Sequence, residues 1–162
     1  MQELTSKQYP WHEYFMRIAQ TVSTRSTCLR RHYGSLIVRN NRIIGTGYNG
    51  AAQGLIECAK IGGCYREQNG IPHGCNYDSN CQAVHAECNA IINAQGDTLD
   101  STIYIFGEVA GTRAIVEQSG PCIMCYRMIR NAGIKTIVYI ENGEIKEMGT
   151  DAYGEKYLGV QL

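Results

Sequence analysis

The sequence predicts a three-layer α/β domain with a mixed sheet, on three observations. Runs rich in β-branched and aromatic residues at 33–38 and 42–48 are separated by Arg39-Asn40-Asn41, the spacing of a tight antiparallel hairpin. Two later β-branched runs, 102–106 and 135–140, enclose a helical stretch, so a crossover helix is expected between them. The 162 residues suffice for one domain with a real core, and no repeat, low-complexity tract or linker divides them.

In chain order, Trp11, Tyr14, Phe15, Ile18, Ala19 and Val22 recur at the offsets of one helical face. Residues 10–23 are therefore read as an amphipathic helix opened by Pro10, with its aromatic stripe in the core and His12 on the solvated side. The hairpin follows. Residues 49–84 keep no sustained period, and eight of the 18 glycines lie between Gly45 and Gly74. A loop of that length in a compact domain is functional, disordered or fastened by something. Residues 85–94 then read as a helix, with Gly96 just past its end, and 102–106 as a short buried strand. Residues 109–119 fit a strand or a helical turn equally. Pro121 opens and Gly133 stops a helix over 122–132, and 135–140 is a further strand. A turn at Glu141-Asn142-Gly143, a short strand over 144–148 and a last helical turn over 151–158 complete the chain.

The totals exclude several function classes. Lys plus Arg is 15 and Asp plus Glu is 15, so no net field draws in a polyanion, and a small charged metabolite is a better partner than nucleic acid. No apolar run reaches the roughly 18 residues that span a bilayer, and residues 1–14 are not a secretory signal. The expectation is a soluble, cytoplasmic protein without a membrane partner. In that reducing compartment the eight cysteines are better read as metal ligands or buried thiols than as disulfides.

His85-Ala86-Glu87 and Pro121-Cys122-Ile123-Met124-Cys125 carry the chemistry. A catalytic zinc takes three protein ligands and leaves the fourth position to a water that it acidifies to a pKa of about 7. His85, Cys122 and Cys125 meet that count. Cys122 and Cys125 are one helical turn apart, so both sulfurs can face one ion, and a helix N-terminus favours their thiolates. Glu87 is left as the proton carrier. A C-x-x-C alone is a weak signal. Joined to an upstream H-x-E, it makes the known signature of the zinc nucleobase deaminases.

Further stretches extend that likeness. Arg25-Ser26-Thr27-Cys28, Arg42-Ile43-Ile44 running into Gly47-Tyr48-Asn49-Gly50, His85 through Ile91, and the Pro-Cys-x-x-Cys run together resemble the deoxycytidylate (dCMP) deaminase family. The resemblance covers about residues 11–139. It implies a cytidine-deaminase-like three-layer fold and zinc-dependent hydrolysis of dCMP to dUMP by a homo-oligomer, with a hexamer favoured. It also implies dCTP as activator and dTTP as inhibitor, with Mg2+ accompanying a triphosphate effector. By position, Asn49 would meet the sugar and the backbone at Ala86 the base edge, and Arg30 and Arg25 would bind the phosphate. Tyr48 and Gly50 would belong to the effector site. A solvated basic cluster including Arg31 stays open as the alternative for the arginines.

The resemblance also implies a second, structural zinc that fastens the 49–84 loop, with Cys28, Cys58 and Cys75 as ligands. The fourth family position falls on Ala83, which binds no metal, so Cys81 is the nearest substitute, with Cys64 and His73 behind it. Cys88, inside its helix, reads as a buried thiol. Two departures stand out. The stretch between Phe106 and Pro121 is longer than the family's, and the C-terminal segment is expected to lack the helix and strand that usually complete the sheet. They keep open a deaminase of another nucleotide, nucleoside or base, and, outside enzymes, a zinc-binding nucleotide-sensing module.

Overall fold

The computed structural model describes residues 8–73 and 80–161. A five-stranded sheet runs in the order β2-β1-β5-β6-β7, formed by β1 (Arg31–Arg39), β2 (Arg42–Tyr48), β5 (Thr102–Val109), β6 (Thr136–Glu141) and β7 (Glu144–Gly149). β1 pairs antiparallel with both β2 and β5, β5 pairs parallel with β6, and β6 pairs antiparallel with β7. Helix α1 (Trp11–Ser23) covers one face. On the other lie α3 (Ala86–Asn93), α4 (Ile123–Asn131) and α5 (Thr150–Leu158). This is the mixed-sheet, three-layer fold that the sequence predicts.

Alternation along the strands builds two cores. Leu36, Val38, Tyr104, Phe106, Val138 and Ile140 face α1, where Phe15, Met16 and Ala19 close over them. Ile37, Ile103, Ile105, Ile137 and Tyr139 face Ala90, Tyr126, Ile129 and Tyr153 of the other three helices. β5 and the Leu36–Val38 stretch of β1 are buried on both sides, which is why these stretches run mostly apolar. Asn40 and Asn41 take the left-handed backbone of the β1–β2 turn, with φ of 51° and 58°, as a two-residue hairpin demands.

Four elements differ from expectation. Trp11 and Tyr14 lie outside the core, 55% and 43% exposed, because the buried face of α1 is set by Phe15, Met16 and Ala19. Trp11 instead stacks on Phe15 from the solvent side, centroids 5.5 Å apart. His12 lies on the exposed side as expected, where its ring meets Tyr104 Oη at 2.9 Å and Glu147 Oε2 at 2.8 Å. Residues 49–84 hold a two-stranded pair, β3 (Gly50–Ala51) with β4 (Ala83–Val84), a 3-10 turn at Cys58–Lys60 and the single-turn helix α2 (Tyr65–Gln68). The C-terminal segment does supply a strand and a helix: β7 pairs with β6 over six residue pairs, and α5 buries Tyr153. Of residues 109–119, Val109 ends β5 and the rest are neither strand nor helix. They are held by isolated bridges from Glu108 to Ile115 and from Gln118 to Glu141.

Glycines set one close approach. An added Cβ at Gly47 would lie 2.3 Å from both the Ala86 carbonyl oxygen and the Ala90 nitrogen, and one at Gly45 would lie 2.5 Å from the Ala90 oxygen. Helix α3 therefore rests directly on the backbone of β2. Asn89 and Asn93 secure it there, their Nδ2 atoms donating to the carbonyls of Tyr48 and Thr46 at 2.8 and 2.7 Å. Among the described residues no helix is long and apolar enough to cross a membrane.

Candidate active site

Two helix N-termini converge on one point. His85 is the N-cap of α3 and Cys122 the N-cap of α4, so each helix begins one residue after a ligand-bearing side chain. The Cys122 sulfur accepts the backbone N–H of Cys125 at 3.5 Å, placing it among the unpaired amides of the first turn. Hydrogen bonding by the Cys125 thiol, and then by the His85 ring, holds the Cys122 thiol far below its usual range against the opposing effect of burial, while the same contact pushes the Cys125 thiol up. The anion that a metal requires is thus built into the helix start.

The His85 ring nitrogen Nδ1 is 3.2 Å from the Cys125 sulfur and 3.6 Å from that of Cys122. The three ligand atoms lie within 4.8 Å of one another. With Zn–S near 2.3 Å and Zn–N near 2.0 Å, a tetrahedral ion sets its nitrogen and sulfur ligands roughly 3.5 Å apart. Donor set and spacing both fit zinc. Cys88, 5% exposed, contacts Cys125 sulfur to sulfur at 3.7 Å and Met128 at 3.2 Å. It is the buried thiol the sequence suggested, packed against the back of the ligand set.

Glu87, in the first turn of α3, is 5% exposed. Burial pushes its carboxyl above the usual carboxylate range, with His85 pulling the other way. A buried carboxyl beside the ligand set is placed to take up and return a proton. Glu87, His85, Ala86, Pro121 and Cys122 all line one cavity of about 430 Å³, roomy enough for a small ligand.

The other expected site residues are distributed unevenly. Asn49 lines the cavity, but its amide is engaged in the fold: Oδ1 accepts from Ser26 Oγ and the Tyr33 N–H at 2.7 and 2.8 Å, and Nδ2 donates to the Arg31 carbonyl at 2.9 Å. Gly50 lines it too, where a Cβ would meet Thr27 Oγ1 at 2.5 Å. Tyr48 is 40% exposed and outside the lining. Arg30 lines the cavity with its charge already met, Nε lying 2.6 Å from Glu67 Oε2 and Nη1 donating to the Ile71 carbonyl at 2.9 Å. Arg25 is exposed and lines no part of it.

Cys28, Cys58, Cys64 and Cys81 line the same cavity as free thiols, though among the described residues only His85, Cys122 and Cys125 bring three ligand atoms within 4.8 Å of one another. Burial, then the neighbouring Cys64, Cys28 and Cys81, push the Cys58 thiol up, so the four sulfurs form one neighbourhood. Cys64, only a reserve choice from sequence, is brought in by the 3-10 turn and α2. Cys75 falls outside the described residues.

The sequence reading did not single out Gln118, Gly120 and Leu158, which complete the wall around the metal residues. Gln118 Nε2 donates to Tyr153 Oη at 3.3 Å, and that hydroxyl fills the space a Cβ on Gly120 would need. Gly-Pro before a C-x-x-C was the only local signal, and it gave no hint that α5 would pack there.

Comparison with known proteins places this site in context. The family model described as the cytidine and deoxycytidylate deaminase zinc-binding region matches residues 9–141. A deoxycytidylate deaminase of Mycobacterium phage D29 is 36% identical over 134 residues, covering 80% of this chain and 93% of its own. That of Schizosaccharomyces pombe is 34% identical over 129 residues, but the chain spans only 36% of its length. The dCMP deaminase of cyanophage S-TIM5 in complex with dCMP and dUMP shares the fold, with a TM-score of 0.56 and 24% identity over 81% of this chain and 82% of that one.

Proposed function

The chain belongs to the cytidine and deoxycytidylate deaminase family, and from that premise we propose that it hydrolyses dCMP to dUMP, releasing ammonia. The observation that carries this reading is the convergence of His85, Cys122 and Cys125 with the buried Glu87 carboxyl on one cavity. Relatives named deoxycytidylate deaminases, from phage to yeast, support dCMP as the substrate.

His85 Nδ1 and the sulfurs of Cys122 and Cys125 would hold the zinc, which when bound supplies Lewis acidity to activate water. Glu87 takes a proton from water in the cavity and gives it to the ring nitrogen, then takes the proton of the hydroxyl newly joined to C4 and gives it to the amine, which departs as ammonia while the carbonyl forms. The buried wall of Ala86, Pro121 and Glu87 keeps bulk water from competing for that proton. Ala86 would offer backbone to the base edge, and the remaining N–H of Asn49 would reach the sugar.

Cys28, Cys58, Cys75 and Cys81 would hold a structural zinc, with Cys64 as the reserve ligand. Four free thiols in one neighbourhood support it, and a closed four-ligand site would secure a loop with little core of its own. A homo-oligomer, a hexamer in the favoured form, is supported by the apolar Ile92, Met124 and Met128, left exposed on α3 and α4. Regulation by dCTP and dTTP, with Mg2+ on the triphosphate, rests on the likeness at Tyr48 and Gly50, and a cytoplasmic location on the eight cysteines.

A second reading, deamination of another nucleotide, nucleoside or base, is favoured by one observation: Gln118 builds the cavity wall from the stretch between Phe106 and Pro121, the stretch read from sequence as longer than the family's. The zinc-loaded protein assayed by ultraviolet absorbance on dCMP, CMP, deoxycytidine, dCTP and guanine separates the two. Preferred turnover of dCMP is expected, and preference for any other member overturns the first reading.

A further inference from the structure

Helix α5 lies beyond residues 9–141, the part of the chain that the family model matches, yet it reaches the metal residues. Leu158 lines the catalytic cavity. Tyr153, 1% exposed, sets its ring edge-on to Tyr139 of β6, centroids 5.2 Å apart, and its hydroxyl against Gly120. That hydroxyl accepts from Gln118 Nε2 at 3.3 Å. Gly120 is followed by Pro121 and the ligand Cys122, so Tyr153 presses on the backbone that delivers the first sulfur. Burial pushes the Tyr153 hydroxyl above its usual range, and the Glu87 charge adds to this. The group therefore stays neutral and acts by shape and hydrogen bonding, not as an acid.

Gly154, the next residue, meets the other end of the ligand turn. The Tyr126 hydroxyl occupies the space that a Cβ on Gly154 would need. Tyr126 directly follows Cys125, and its N–H closes the first turn of α4 on the Cys122 carbonyl at 2.8 Å. Glycine inside a helix weakens it relative to alanine. Gly154 has ordinary helical backbone, without the positive φ that would call for glycine, so room for Tyr126 is what the residue supplies. An ion pair of Asp151 with Arg130 ties the same two helices further along.

We propose that Tyr153 and Gly154 are positioning residues of the active site: they clasp the segment from Gly120 to Tyr126 at both ends, so that the Cys122 and Cys125 sulfurs stand at metal spacing beside His85. The proposal rests on the ligand assignment above and adds α5 to the catalytic unit. Contacts that orient metal ligands from outside typically carry ten- to one-hundred-fold of metal affinity. A helix packed on the ligand turn supplies such contacts through the backbone and not through the ligand side chains.

The test replaces zinc by cobalt, whose thiolate absorption reports the ligand sulfurs. The share of that absorption lost in Cys122→Ser marks the catalytic centre. For this share, Tyr153→Ala and Gly154→Ala should each weaken cobalt affinity roughly ten- to one-hundred-fold and shift the visible bands. Tyr153→Phe, which keeps the ring, should fall between the parent and Tyr153→Ala. Phe15→Leu, in the core under α1 on the opposite face of the sheet, should lower Tm without moving either reading. Parent affinity and bands in Gly154→Ala, or in the Tyr153 variants, overturn the proposal; where Tyr153→Ala does not fold, Tyr153→Phe decides for that residue. An equal loss in Phe15→Leu overturns it too, since stability alone would then govern the metal. Absorption unchanged by Cys122→Ser overturns the ligand assignment itself, and the proposal with it.

Discussion

His85 Nδ1 stands 3.2 Å from the sulfur of Cys125, forty residues further along the chain. The contact exists because α3 and α4 both begin at the same end of the sheet, each capped by a ligand-bearing residue. Backbone amides of two first turns thus surround the ligand set, and their partial positive charge favours the deprotonated sulfurs. The metal centre is therefore a property of two helix starts held in register.

Glu87 is buried beside this centre but is not needed as a ligand, so its loss should separate chemistry from metal binding. Glu87→Gln is expected to lower kcat by roughly 10²- to 10⁴-fold, the usual worth of a general acid-base group, while metal analysis shows the same zinc content as the parent. Turnover at the parent rate would remove the proton-carrier role.

Metal removal should reveal two classes of zinc. Two zinc per chain are expected in the purified protein, with Cys58→Ser losing one and keeping the other in the catalytic cup. A chelator should abolish deamination, and added zinc should restore it. One zinc per chain in the parent, unchanged by Cys58→Ser, would mean that the loop thiols hold no metal.

Gly47→Ala tests the close seat of α3 on β2. The new methyl would sit 2.3 Å from backbone atoms of Ala86 and Ala90, and backbone cannot swing aside as a side chain can. A loss of roughly 1–3 kcal/mol in urea denaturation is expected, as for overpacking, together with weaker zinc retention because His85 moves with the helix start. Parent-like stability and zinc content would show that the seat tolerates a methyl.

Asn49 has its carboxamide in three hydrogen bonds, to Ser26, the Tyr33 N–H and the Arg31 carbonyl. Asn49→Ala strands a buried backbone donor and acceptor, so a destabilisation of about 1–3 kcal/mol is expected. A variant as stable as the parent, with KM alone raised, would show that the residue serves substrate and not the fold.

Much of this molecule is legible along the chain because its information is local. Strand runs, the Asn40-Asn41 turn, Pro121 and Gly133 around α4, and H-x-E with C-x-x-C each depend on neighbours a few positions apart. The ligand set, the proton carrier and the three-layer class follow from such spacings and from the family likeness. Tertiary structure decided what spacing cannot carry. An amphipathic stripe states which side of α1 is apolar but not how far the sheet extends beneath it, and so Trp11 and Tyr14 ended in solvent. Charge in the sequence does not reveal its partner: Arg30 and Arg31 are adjacent, alike and both on the cavity, and only the fold set Glu67 beside one and Tyr33 beside the other. The wall built by Gln118, Gly120 and Tyr153 joins α5 to residues more than thirty positions upstream, a contact fixed by long-range packing that no local pattern encodes.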